Sequence, residues 1–172
     1  LVAFDHEEVG SSTTTVANGP LLERVLQRTA LALGASWDEY FRMLAGSSCV
    51  SADAGHSVNP NYPEYYEPCH YPVAGGGPVV KLNANQRYAS DGPGQALWLR
   101  ACRRAGQPTQ EFVSNNAVPC GSTIGPSTAT RLGIDTVDVG VPLLSMHSVR
   151  EVSHLRDSWA LAAILRGYWE LD

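Results

Sequence analysis

The sequence predicts an α/β fold, and three observations carry that expectation. Short β-rich runs alternate with longer amphipathic stretches along the chain. The longer stretches repeat apolar residues at helical spacing and are bounded by Pro and Gly. Acids and a histidine fall just past several of the short runs, where ligands gather in open α/β sheets.

Taken in order, LVAF ahead of Asp5 reads as a buried strand. Residues 20–33 have a helix pattern, with Pro20 at the start and Gly34 as a stop. Residues 37–44 suggest a second short helix, and 48–54 a strand ending in an acid. The stretch from His56 to Gly77 is rich in Pro, Tyr, Asn and Gly and predicts a loop. PVVKLN at 78–83 returns to strand, 94–105 to helix, and 111–114 to a short strand. Residues 122–132 predict a helix entered through a Gly-containing turn, 136–140 a strand, and 152–168 a closing helix. No internal repeat or low-complexity tail interrupts this order.

The chain has 172 residues, 44% apolar and 17% charged, with a net charge of -5, which fits a single domain with a sizeable core. Mild acidity without a Lys/Arg cluster argues against a nucleic-acid face. No apolar run approaches the roughly 20 residues that span a bilayer. The opening LVAFDHEEVG lacks the basic start and long apolar stretch of a signal peptide and reads as the middle of a protein. Cys49, Cys69, Cys102 and Cys120 show no CxxC pairing, so free, mostly buried thiols in a reducing compartment are expected. The lack of an Asn-x-Ser/Thr site fits a cytosolic protein.

Several residues could carry chemistry. Glu7 and Glu8 follow the first apolar run, and two adjacent carboxylates are costly to bury without a cation. Zinc accepts carboxylate and imidazole donors, so one glutamate could bind metal while its neighbour acts as general base. A solvated acidic turn would look the same. Asp53 and His56 form an Asp-x-x-His pair, which also suits a capped turn with an unrelated histidine. His147 sits in LSMHSVRE and suits either a ligand or a hydrogen-bonded core residue. Lys81 and Tyr88 could equally be a surface lysine and a core tyrosine.

The order of these segments is more telling than any one of them. FDHEEVGSS, SADAGHSVNPNY, GPVVKLNANQRYAS, PCGSTIGP and TVDVGVPLLSMHSVRE together resemble the catalytic signature series of aspartyl aminopeptidases, across nearly the whole chain. The resemblance implies a three-layer α/β/α zinc-exopeptidase domain, with residues 1–172 as its C-terminal portion. An N-terminal part and an inserted dimerisation domain would lie outside it. It implies Glu7 as general base, Glu8, Asp53 and His147 as zinc ligands, and His56, Lys81 and Tyr88 as substrate contacts. Two zinc ions would serve the complete site. The implied reaction is removal of an N-terminal residue, preferably Asp or Glu, from peptides by metal-activated water. The implied assembly is a cytoplasmic homo-oligomer, a dodecamer in the family. Arg150 and Glu151 would brace the His147 loop, and the 120–125 loop would border the pocket.

The family site also uses a histidine from a His-x-Asp segment and a bridging aspartate, neither of which occurs in this chain. Asn59 stands where His is usual, and Asn115 and Ala117 replace an Arg-x-Asp pair. An alternative is therefore a catalytically impaired homologue or a structural subunit of an oligomer. A cysteine hydrolase built on Cys120 lacks a positioned His and carboxylate.

Overall fold

The computed structural model describes residues 1–171. Helices α1 (Leu21–Ala32) and α2 (Trp37–Ala45) come first, the second fixed by a capping box between Ser36 and Glu39. Strand β1 (Ser48–His56) is followed by a long loop holding one 3-10 turn, Pro63–Tyr65. Then come β2 (Val79–Leu82), α3 (Gly92–Ala105), β3 (Gln110–Val113) and α4 (Gly125–Leu132). Strand β4 (Asp135–Leu144), the short β5 (Val152–Ser153) and α5 (Leu155–Trp169) complete the chain.

The sheet is mixed, in the order β1-β4-β2-β3, with β5 off the end of β4. β1 pairs in parallel with β4 from Ser48↔Asp135 to His56↔Leu143, and β2 in parallel with β3. β2 runs antiparallel to β4. Helices cover both faces, as strand alternation requires. Val137 and Val139 pack with Trp98 of α3 and Ile164 of α5, all fully buried. Asp138, between the two valines, faces the opposite way, against Gly125 of α4. On that side Ala30, Tyr40, Leu44, Leu132 and Ile134 join α1, α2 and α4, with Cys49 beside them. Burying each large side chain contributes about 1.5–3 kcal/mol.

Five sequence expectations are corrected. LVAF is not a strand; β1 is an edge strand, and nothing among the described residues pairs with its outer side. Leu1 and Val2 are exposed instead, and Leu1, Val2 and Phe4 border an apolar cleft beside β1. β1 runs two residues beyond Ala54, because Gly55 and His56 still pair with β4. α4 starts at Gly125 rather than Ser122, with Pro126 in the first turn, where its missing N–H costs nothing. Val152 and Ser153 pair with Leu144 and Leu143, so α5 begins only after His154, whose Nδ1 accepts from the Arg156 N–H. The cysteines are free, but only Cys102 is buried and Cys69 is exposed.

Candidate active site

Glu7, Glu8, Asp53, His56, Lys81, Tyr88 and His147 line one cavity of about 340 Å³, together with Phe112 and Thr123. They reach it from different parts of the fold. Asp53 and His56 occupy the carboxyl half of β1, and Lys81 stands on β2. Tyr88 follows β2 and His147 follows β4. Glu7 and Glu8 open a 3-10 turn whose leading residue, His6, has φ 59°.

The backbone is bent hard where His147 enters. Ser145 and His147 have φ of 59° and 66°, a left-handed conformation that costs a non-glycine residue about 1–3 kcal/mol. Neighbouring groups hold the bend. The His147 N–H donates to Glu151 Oε1 at 2.6 Å, so Glu151 does brace this loop. Close to the cavity floor, Gly140 of β4 pairs with Asp53, and a Cβ there would lie 2.6 Å from the Ala54 carbonyl carbon. Only glycine lets β1 and β4 approach this closely beside Asp53.

Two charge contacts organise the interior. Glu8 Oε2 lies 2.8 Å from His147 Nε2, with both side chains largely exposed, so the pair itself adds little stability. Lys81, almost fully buried, sets its Nζ 3.0 Å from Asp53 Oδ2 and 5.7 Å from the centre of the Tyr88 ring. The ammonium that the resemblance implies as a substrate contact is thus held by Asp53. Removing Lys81 would leave a carboxylate with its main partner gone.

These surroundings shift the titrating groups. The Glu7 carboxyl lies above its usual range, mainly through burial and then through the Asp53 and Glu8 charges, against the opposing pull of Lys81 and His147. His56 is harder to protonate than a free imidazole. Displacement of water is the leading cause, with its ring 6.0 Å from Phe112, and Lys81 and His147 add to it. Burial is also the first reason the Tyr88 phenol is pushed far up, followed by its contact with Cys120 and the Asp138 and Asp53 charges. Tyr88 therefore stays protonated, able to donate a hydrogen bond, throughout the ordinary pH range.

Glu8, Asp53 and His147 have the donor chemistry of a zinc site. Glu8 and His147 already meet, but Asp53 is turned to Lys81. Among the described residues no three His, Cys, Asp or Glu side chains converge as a ligand set. The residues fit part of a metal site rather than the whole of one.

His70 and His154 serve elsewhere. His70 lies between Glu67 at 2.5 Å and Glu111 at 3.3 Å, and His154 caps α5. Asn59 closes a turn by accepting from the Asn61 N–H. Asn115 donates to the Glu64 carbonyl and accepts from the Ala117 N–H, so neutral bonds tie this loop where the resemblance implies an Arg-x-Asp pair. Gly121, Ser122 and Thr123 line the cavity, as expected of the 120–125 loop, whereas the buried Asp138 behind Thr123 escaped the sequence reading. The available signal was an acid inside the apolar run TVDVG.

Comparison with known proteins is decisive at this point. Residues 1–169 match the profile of the aminopeptidase I zinc metalloprotease family, M18. The chain belongs to the M18 family. It is 53% identical over 170 residues to a probable M18 family aminopeptidase 2 of Streptomyces avermitilis, covering 99% of this chain and 39% of that protein. The probable M18 family aminopeptidase 2 of Mycobacterium tuberculosis is 46% identical over 168 residues, 98% of this chain and 39% of its own. This M18 chain therefore spans about two-fifths of the length of the curated relatives it matches. Among solved M18 structures, yeast aminopeptidase 1 in its dodecamer superposes with a TM-score of 0.84 at 36% identity, over 97% of this chain and 36% of that one. The Thermotoga maritima M18 enzyme gives 0.85 at 27%, over 97% and 39%.

Proposed function

We propose that the full-length protein is a zinc aminopeptidase that removes N-terminal residues, preferably Asp or Glu, from peptides. The observation that carries this reading is the gathering of seven side chains, contributed by separate elements, in one cavity of an M18 chain. Glu8, Asp53 and His147 would hold zinc, with further ligands from the rest of the full-length protein completing a two-ion site. When bound, zinc supplies the Lewis acidity that brings the pKa of water toward about 7.

The chain's own residues do the rest. Glu7, with its affinity for protons already raised, takes a proton from the attacking water and passes it to the leaving amine. Tyr88 donates to the oxygen that gains charge, a contact typically worth about 3 kcal/mol. His56 stays neutral and can share that role. Lys81 moves between Asp53 and an acidic substrate side chain, and such charge-assisted bonds contribute about 1.5–3 kcal/mol. No helix among the described residues is long and apolar enough to cross a membrane. The yeast aminopeptidase 1 structure is a dodecamer. By analogy with that assembly we assign this protein a homo-oligomeric state, and its four free cysteines support a cytoplasmic setting.

The incomplete ligand set also favours a second reading, a catalytically impaired or structural chain. One experiment separates them. Zinc content is measured on purified full-length protein, alongside hydrolysis of aspartyl, glutamyl, leucyl and alanyl p-nitroanilides. About two zinc ions per chain, with the acidic substrates cleaved fastest, support the aminopeptidase. Folded protein without zinc or turnover supports the structural reading, and equal rates on all four substrates remove the acidic preference.

A further inference from the structure

The Asp138 side chain is fully buried at the centre of β4, where the flanking Val137 and Val139 pack into an apolar core. A charge in such a place is costly unless several donors hold it. Asp138 Oδ2 accepts from the Ala89 N–H at 2.6 Å, and Oδ1 from the Thr123 hydroxyl at 2.7 Å. The Asp138 N–H donates to Ser90 Oγ at 3.0 Å. On the remaining side sits Gly125, where a Cβ would come within 2.2 Å of Oδ1. Oxygen, donor and glycine fit together so closely that the carboxylate has no room to turn.

Its two partners belong to different walls of the cavity. Ala89 directly follows Tyr88, and Thr123 ends the 121–123 segment, and both Tyr88 and Thr123 line the space beside Asp53. One rigid carboxylate thus spans two loops separated by more than thirty residues of chain. A structural anchor alone would not need its two oxygens divided between these walls.

We propose that Asp138 is a positioning residue: by binding Ala89 with one oxygen and Thr123 with the other, it fixes the Tyr88 phenol and the 121–123 backbone relative to each other across the substrate. Its effect on turnover rests on the aminopeptidase reading. Its effect on loop mobility does not. Displacing a catalytic group by about 1 Å can cost up to about a hundredfold in rate.

The test uses the full-length protein with Thr123→Val, which removes the hydroxyl while keeping the shape, and Thr123→Ser, which keeps the hydroxyl. Asp138→Asn, if it folds, is a third variant. Thr123→Val is expected to lower kcat about ten- to a hundredfold, with KM and zinc content unchanged, and Thr123→Ser is expected to recover that loss. Amide exchange is followed in parallel over residues 86–90 and 119–125. Thr123→Val should speed exchange in the second segment, and Asp138→Asn in both, without change elsewhere. Equal kcat in the Val and Ser variants, or losses that only follow the folded fraction, overturn the proposal. If the parent protein cleaves no aminoacyl substrate, the functional reading fails while exchange still decides. Faster exchange confined to the two segments supports the bracket, and unchanged exchange overturns it.

Discussion

Glu7 and Glu8 are neighbours in sequence but not in surroundings. Glu8 meets His147 at 2.8 Å, whereas Glu7 faces the Asp53 and Glu8 charges with its carboxyl more reluctant to ionise. On the proposed reading, that difference separates a ligand from a base. In the full-length protein Glu7→Gln should leave zinc bound and lower kcat by two or more orders of magnitude, in the range of general-base contributions of about 10²–10⁴. Glu8→Gln should instead lower zinc content at a fixed metal concentration. Near-normal turnover in Glu7→Gln would reverse the two roles. His56 offers a separate check through pH. Its folded pKa lies below the unfolded value of about 6.5, so as pH falls through 6.5 the unfolded chain gains a proton that the folded chain refuses. Stability is therefore lost on acidification, beginning at the unfolded pKa and complete only below the folded one. Thermal midpoints between pH 7.5 and 5.5 should fall more steeply for the parent than for His56→Gln. Parallel slopes would show that His56 titrates normally.

At the scale of elements, the packing of α4 against β4 is the tightest fit in the site. An added Cβ at Gly125 would strike both Asp138 oxygens, at 2.2 and 2.3 Å, and those oxygens are pinned by Ala89 and Thr123. Gly125→Ala should cost about 1–3 kcal/mol, as overpacking does. Gly92, at the start of α3, has open space around its Cβ position, so Gly92→Ala should stay within about 0.5 kcal/mol of the parent. Urea midpoints of the two variants make the comparison, and equal losses would mean the carboxylate can move after all. The same elements show what was legible in the sequence. Helical spacing with Pro and Gly punctuation located α1 and α3 within two residues, because local signals set those ends. LVAF failed because a strand is made by its partner, and periodicity carries no information about whether one is present. The site's lining followed from motif order. The Lys81 contact with Asp53 did not, because the turn of a long side chain depends on charges brought in from another strand. Asp138 went unread for the opposite reason: its surroundings exist only once two distant loops have met.

For the whole molecule, the candidate ligands come from three separate segments of the chain. Glu8 lies in the irregular opening segment, Asp53 on β1, an edge strand, and His147 in a bent loop beyond β4. On the proposed two-ion reading, metal held by such donors would restrain all three segments, so its binding energy would also be folding energy. Binding only the native state, at about 100-fold above its dissociation constant, zinc adds about 2.7 kcal/mol. Chelation of the full-length protein should therefore lower its melting midpoint by several degrees, and added zinc should restore it. Exchange should rise first around residues 5–10 and 145–151, where few buried contacts resist opening. Glu8→Gln and His147→Ala should reduce the shift caused by chelator, since each already lacks a donor. Glu7→Gln should keep the full shift, because a base holds no metal. A midpoint that does not move when bound zinc is stripped would show that the metal does not join these segments, and the ligand assignment would fail with it.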